Sequence, residues 1–229
     1  MLALVGSGEY LPPMEAVDRY LLGLLKSEPH VVCLPTAAGT EGLERITYWM
    51  ELGKSHFSSL GVEVESLPVV DQSSANDPAL AERIRQANFI YLSGGKPDYL
   101  YRTLVNSLVW PAIQEVLEKG GILAGCSAGA MIMGEFIPGF PGLKPAFGLI
   151  PGVVIMPHFD EIPGAMVSAL QLLVGEKRTL VGIEANTALV VADESYQIVG
   201  SGGVVVWNKR EKRRYTHGQP VHWNNAQNG

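Results

Sequence analysis

Short apolar runs of strand length alternate with segments of helical period through the first half of the chain, and this alternation constrains the fold more than any other feature. Leu2 to Val5, Val31 to Leu34, Phe89 to Leu92 and Ile122 to Ala124 read as strands buried on both faces, and Val62 to Ser66 alternates as one more. Between them, Val17, Leu21, Leu24 and Leu25 are spaced for one helix face, and further helices are expected over about 43–60, from Pro78, from Pro97 and over about 109–119. Asp77-Pro78 supplies an N-cap followed by proline at the first helical position. This order predicts an α/β fold whose parallel sheet is covered by helices on both faces. Ligands of such sheets bind beyond the carboxyl ends of the strands. The loops after Val5, Leu34, Leu92 and Ala124 are therefore where function should lie.

The pattern loosens after Ile137. Four prolines (Pro138, Pro141, Pro145, Pro151) and four glycines crowd residues 137–152, too many for a helix or a central strand, so a long surface loop over the sheet edge, a candidate lid, is expected. Val153 to Met156 reads as a strand and about 165–173 as a helix. Leu180 to Ile183, Leu189 to Ala192, Gln197 to Val199 and Val204 to Trp207 are spaced as antiparallel hairpins, a C-terminal extension of the sheet. At 229 residues the chain reads as a single domain spanning 1–229, with a polar tail from about Asn224 expected to be disordered.

Charge narrows the partners. Seventeen basic against 23 acidic side chains leave a net charge of −6, which argues against nucleic acid and anionic membranes as partners. The basic run Lys209 to Arg214 is too short to change this and reads as a solvated hairpin turn. Met1 to Gly6 reads as a first strand, not a signal peptide, and no run of 18 apolar residues occurs. Cys33 and Cys126 lie in apolar runs without metal-ligand spacing, so reduced buried thiols and a cytoplasmic location are expected, with no metal and no cofactor.

The segment most informative about chemistry is Ile122-Leu123-Ala124-Gly125-Cys126-Ser127-Ala128-Gly129-Ala130-Met131. Its G-x-S-x-G follows an apolar strand and precedes a helical run, the context of a nucleophile elbow, in which a serine sits on a strained turn and the next amide, here of Ala128, faces a bound acyl oxygen. A glycine-rich turn with a capping serine is the plain alternative. Cys126, one position early, should point away from the pocket, although a thiol nucleophile there defines a rival reading. Among the five histidines, His158 emerges after the strand ending at Met156 and is the candidate base. The carboxylate behind it could be Glu184, Asp160, Glu161 or Glu135, with Glu184 best placed at the end of another strand. Gly94-Gly95 brings bare backbone to the same rim as a second oxyanion donor, and Lys96 follows it. Gly6-Ser7-Gly8 lacks the third glycine of a dinucleotide fingerprint.

Ser93-Gly94-Gly95, Gly125-Cys126-Ser127-Ala128-Gly129-Ala130, Pro157-His158-Phe159 and Gly182-Ile183-Glu184-Ala185-Asn186-Thr187-Ala188 together resemble the dipeptidase E and cyanophycinase family of serine peptidases. The resemblance implies a flavodoxin-like, class I glutamine amidotransferase-like fold and hydrolysis of aspartyl peptide bonds. It also implies Ser127 as nucleophile, His158 as base, and the Gly95 and Ala128 amides as oxyanion donors; Gly94 and Lys96 are expected toward substrate from their position at the rim. Lys96 stands where family members usually carry glutamine or asparagine, and the acid of Gly182-Ile183-Glu184 comes one position before the family's glutamate. A serine hydrolase of small peptides or amides, with an acidic residue on the acyl side, is the reading these residues favour. A homologue without activity, kept as a binding protein, is its alternative, and a homodimer is conceivable from the open sheet edge.

Overall fold

Apolar strands separated by amphipathic helices can bury themselves only by stacking into a sheet with helices on its faces, and the computed structural model has this arrangement. It describes residues 1–139, 141–193, 195–209 and 211–221, so the tail expected to be disordered lies outside the described residues. The elements run β1 (Leu2–Val5), α1 (Glu15–Leu22), β2 (His30–Leu34), α2 (Leu43–Ser59), β3 (Glu63–Ser66), α3 (Gln72–Ala75), α4 (Pro78–Gln86), β4 (Phe89–Leu92), α5 (Pro97–Leu104), α6 (Val109–Glu118), β5 (Ile122–Cys126) and α7 (Ala128–Met131). There follow β6 (Gly134–Pro138), β7 (Leu143–Pro145), β8 (Ile150–Met156), α8 (Gly164–Val174), β9 (Thr179–Ile183), β10 (Thr187–Ala192), β11 (Ser195–Gly200), β12 (Gly203–Trp207) and β13 (Lys212–Thr216).

The first sheet has the order β11-β10-β1-β5-β4-β2-β3. Its five strands from β1 to β3 are parallel, and β10 closes antiparallel on β1. One face packs on α1 and α2 through Val17, Leu21 and Phe57. The other packs on α4, α5 and α6 through Ile84, Leu100 and Ile113. Asp77 caps α4 as its sequence suggests, accepting from the Ala79 amide at 2.8 Å.

The second half departs from the expectations in three places. Residues 137–152 are not one long loop: half of them are strand residues of a second sheet, ordered β13-β12-β9-β8-β6-β7. The prolines fit because β7, which carries Pro145, is an edge strand, and Pro151 in β8 is exposed. The later strands do form antiparallel pairs, β10 with β11 and β12 with β13, but they divide between the two sheets. β10 and β11 extend the first sheet, whereas β9 runs parallel to β8 and antiparallel to β12 in the second. The basic run is also only partly a turn, since Lys212, Arg213 and Arg214 are strand residues of β13.

Period-two alternation explains why this second sheet stays where it is. Val153, Ile155, Val181, Ile183, Val204 and Val206 face the core shared with the first sheet. Val154, Leu180 and Val205 face the opposite way, onto Phe159 and Val167 beneath α8. Each such side chain, once buried, contributes about 1.5–3 kcal/mol. A one-residue slip of β9 would exchange the two sets.

Candidate active site

The carboxyl ends of the parallel strands of both sheets meet at one rim. A Cβ added to Gly6, just past β1, would lie 2.1 Å from the Glu184 carbonyl oxygen and 2.7 Å from that of Ile183, so the ends of β1 and β9 touch backbone to backbone. Val5 pairs with Cys126 on one side of this junction, and Gly182 pairs with Met156 on the other. The chain thereby brings Ser127, next after β5, and His158, two residues after β8, to the same rim.

Ser127 sits at φ 51°, ψ −109°, between β5 and α7. This is a strained conformation for a residue with a Cβ, and packing imposes it. A Cβ on Gly125 would lie 2.5 Å from the Gly129 carbonyl carbon, and one on Gly129 would lie 2.5 Å from the Leu92 carbonyl oxygen. Helix α7 is therefore pressed against β5 at Gly125 and against the end of β4 at Gly129 closely enough that only glycine fits at either position. Backbone strain collects around the rim. Five non-glycine residues have positive φ among the described residues, and four of them (Tyr10, Ser127, His158 and Asn186) lie in rim loops.

The glycine pair lies beside the serine. A Cβ on Gly94 would be 3.4 Å from the Ser127 Cβ. Gly95 has φ +143°, where an L side chain would be strained. The Gly94 amide donates to Glu9 Oε1 at 2.9 Å, and the Lys96 amide donates to the Ala37 carbonyl at 2.9 Å. Between these two, the Gly95 amide has no acceptor among the described residues, and neither has the Ala128 amide at the start of α7. Two donors are thus left open on either side of the serine. Lys96 is exposed at the rim, its ammonium donating to Thr40 Oγ1 at 2.9 Å.

Cys126 is turned away. Its thiol is fully buried and donates to Glu9 Oε2 at 2.9 Å. Burial first, then the Glu9 carboxyl, push its pKa well above the ordinary thiol value, which favours the protonated thiol over the thiolate.

His158 takes a left-handed backbone conformation at the start of a 3-10 turn over Phe159–Glu161. Its Nδ1 lies 3.4 Å from Glu161 Oε2. Among the described residues no hydrogen bond joins its ring to the Ser127 hydroxyl. The other described histidines are engaged elsewhere: His56 is buried on Asp18 at 2.8 Å, His30 meets Glu65 at 3.1 Å, and His217 meets the Ile198 carbonyl at 2.9 Å.

The expected role of Glu184 is not what the structure displays. Its carboxylate receives both the Nε and the second terminal nitrogen of Arg214, at 2.6 and 2.5 Å, and the Gly203 amide at 2.7 Å. The Arg214 hydrogen bonds hold its pKa below the ordinary carboxylate range. The physical reason is β13, which brings Arg214 across β12 to the end of β9. Of the other acids considered, Asp160 accepts from the Ala185 amide at 2.9 Å, and Glu135 lies in β6 with its carboxyl on the Gly152 amide. Glu161 is the one in contact with the histidine. A pocket of about 440 Å³ opens beside this arm, lined by Phe159, Asp160, Val167, Glu184, Lys212 and Arg214 among others.

One residue escaped the sequence reading altogether. Glu9 is 9% exposed and touches both the Gly94 amide and the Cys126 thiol. Its signal was an acid directly after the Gly6-Ser7-Gly8 turn at the end of a buried strand.

The family model described as peptidase family S51 matches residues 2–199. The chain belongs to peptidase family S51. A crystal structure of a peptidase from an acI-B1 Actinobacterium superposes on it with a TM-score of 0.88, at 36% identity over 97% of this chain and 96% of that one. An uncharacterized peptidase of Listeria monocytogenes is 28% identical over 143 residues, 58% of this chain and 67% of that protein. A cyanophycinase of Synechococcus elongatus is 28% identical over 171 residues, 68% of this chain and 52% of that protein. The S51 match bears out the resemblance to dipeptidase E and cyanophycinase, and it places the chain among peptidases. Among the described residues, no helix is long and apolar enough to cross a membrane.

Proposed function

We propose that this S51 chain is a serine peptidase that cleaves small peptides or amides with an acidic residue on the acyl side, through an acyl-enzyme on Ser127. The observation that carries the reading is the strained Ser127 flanked by two backbone amides, of Gly95 and Ala128, that have no acceptor among the described residues. Such donors are built for charge that appears only during reaction.

In this mechanism Glu161 holds the His158 ring by Nδ1, which leaves Nε2 to take the Ser127 proton. The serine oxygen adds to the carbonyl carbon, and the carbonyl oxygen becomes an oxyanion held by the Gly95 and Ala128 amides. Collapse breaks the C–N bond, and the histidine returns its proton to the departing amine. Water, deprotonated by the same ring, then releases the acid and regenerates the hydroxyl. Lys96, exposed beside the glycine pair, supplies a cation for a substrate carboxylate. The relatives named as cyanophycinases favour an aspartyl acyl group.

The test is a matched panel of α-aspartyl, β-aspartyl and non-acidic dipeptides, assayed with wild type and Ser127→Ala. We expect turnover of an acidic dipeptide that falls by about 10⁴-fold or more in the variant, as for other nucleophile deletions. Turnover that survives Ser127→Ala would overturn the mechanism.

A further inference from the structure

We propose that Glu9 is a positioning residue whose buried carboxyl group fixes the oxyanion loop against the nucleophile elbow. The inference rests on the serine mechanism proposed above and adds to it a residue that touches neither substrate nor reacting atoms.

Glu9 follows the glycine turn after β1, so its backbone enters the rim between β10 on one side and β5 on the other. Its side chain then passes under the rim. Oε1 accepts from the Gly94 amide and Oε2 from the Cys126 thiol, both at 2.9 Å. One carboxyl group therefore ties together the residue before Gly95 and the residue before Ser127. Those two segments belong to different strands, β4 and β5, and between them they carry the two open amides. A Cβ on Gly94 would fall 2.8 Å from Glu9 Oε1, so the glycine there makes room for the acid.

Burial gives the contact its force. In so enclosed a place the Gly94 amide has no ready substitute acceptor, and losing Glu9 would leave it unsatisfied. The amide would then turn to find another partner, and rotating the peptide unit at Gly94 moves Gly95 with it. Two neighbouring glycines offer little steric resistance to that rotation. Lys96, anchored on the Ala37 carbonyl, holds only the far end of the loop. Glu9 is what holds the near end.

The experiment uses the full chain and the acidic dipeptide of the panel above, and it measures kcat, KM, thermal melting and inhibition by a peptide aldehyde whose hemiacetal oxygen occupies the oxyanion site. Glu9→Gln keeps an acceptor for the Gly94 amide and should hold kcat within about threefold of wild type. Glu9→Asp keeps the acid but shortens its reach, and Glu9→Leu removes it. Both should lower kcat by about tenfold to a hundredfold with KM within about twofold, because a misplaced donor costs transition-state and not ground-state binding. Aldehyde inhibition should weaken in parallel. Should Glu9→Leu fail to fold, Glu9→Asp against Glu9→Gln decides the matter. The proposal is wrong if the folded Asp variant turns over like wild type, if Gln loses as much as Asp, or if kcat falls while aldehyde inhibition is unchanged. Activity surviving in Ser127→Ala would instead remove the serine reading and this proposal with it. An inactive Ser127→Ala beside a fully active Glu9→Asp would sink this proposal alone.

Discussion

The two arms of the site are built in opposite ways. The nucleophile arm, at the ends of β4 and β5, is closed: Gly94 and Gly129 are buried, and added Cβ atoms there would meet neighbours within 3 Å. The base arm, after β8, is open: the His158 side chain is 42% exposed and its Glu161 partner 62%. Close-packed backbone defines the first arm, so its geometry exists before any substrate arrives. A flexible side-chain contact defines the second. On the mechanism proposed above, the difference teaches that preorganisation would reside in the backbone around Ser127, and that the His158 contact would contribute little of it.

The sharpest way to break this comparison is to add one methyl group to each arm. Gly129→Ala would drive a Cβ to 2.5 Å from the Leu92 carbonyl, against backbone that cannot swing aside. A loss of about 3 kcal/mol or failure to accumulate as folded protein is expected, at the upper end for overpacking. Gly164→Ala, at the start of α8 below the base arm, meets nothing within 4 Å and has no positive φ, so it should be neutral or gain about 0.4–1 kcal/mol. Melting curves of the two variants decide it. Equal melting temperatures would show that the elbow has slack the geometry denies.

A smaller effect separates the acids of the open arm. Glu161→Gln should lower kcat by about threefold to tenfold with KM little changed, a modest loss because the carboxylate is exposed and its contact is long. Glu184→Gln should leave kcat near wild type, since its oxygens already serve Arg214 and Gly203. Steady-state kinetics of the pair are sufficient. The reverse ranking would restore Glu184 to the histidine.

The same contrast explains what could be read in the sequence. Gly125, Ser127 and Gly129 were legible because a strand-to-helix turn leaves a local pattern of small residues around its serine, although the carbonyl that excludes a Cβ at Gly129 is that of Leu92 on β4. The parallel strands were legible for the same reason, as runs of buried apolar residues. The engagement of Glu184 was not legible because its partner, Arg214, comes from a strand 30 residues further on, and no local pattern says which carboxylate a distant arginine will take. Glu9 was missed because its two contacts span 85 and 117 residues. The segment 137–152 was misread because prolines forbid only central, hydrogen-bonded strand positions, and the sequence does not say that β7 is an edge. Proline content alone could not separate a loop from an edge hairpin.

The smallest effect concerns the Glu184–Arg214 pair. Arg214 lowers the pKa of Glu184 in the folded protein, below the ordinary carboxylate value of 4.5. The folded state then binds fewer protons than the unfolded state in this range, so stability rises with pH there. The contribution is fully present above about pH 4.5 and disappears as the pH falls through the lowered folded value. Because the arginine side chain is half exposed, water and salt screen the pair, and its worth is at most about 1 kcal/mol, or about 2–4 °C in melting temperature. Arg214→Gln should therefore melt slightly below wild type at pH 7, and the gap should close as both proteins are taken below pH 4.5. High salt at pH 7 should narrow it in the same direction. A gap that persists undiminished at acid pH would mean that Arg214 stabilises the second sheet through its packing and not through its charge, and the open arm would then be held as the closed one is, by shape.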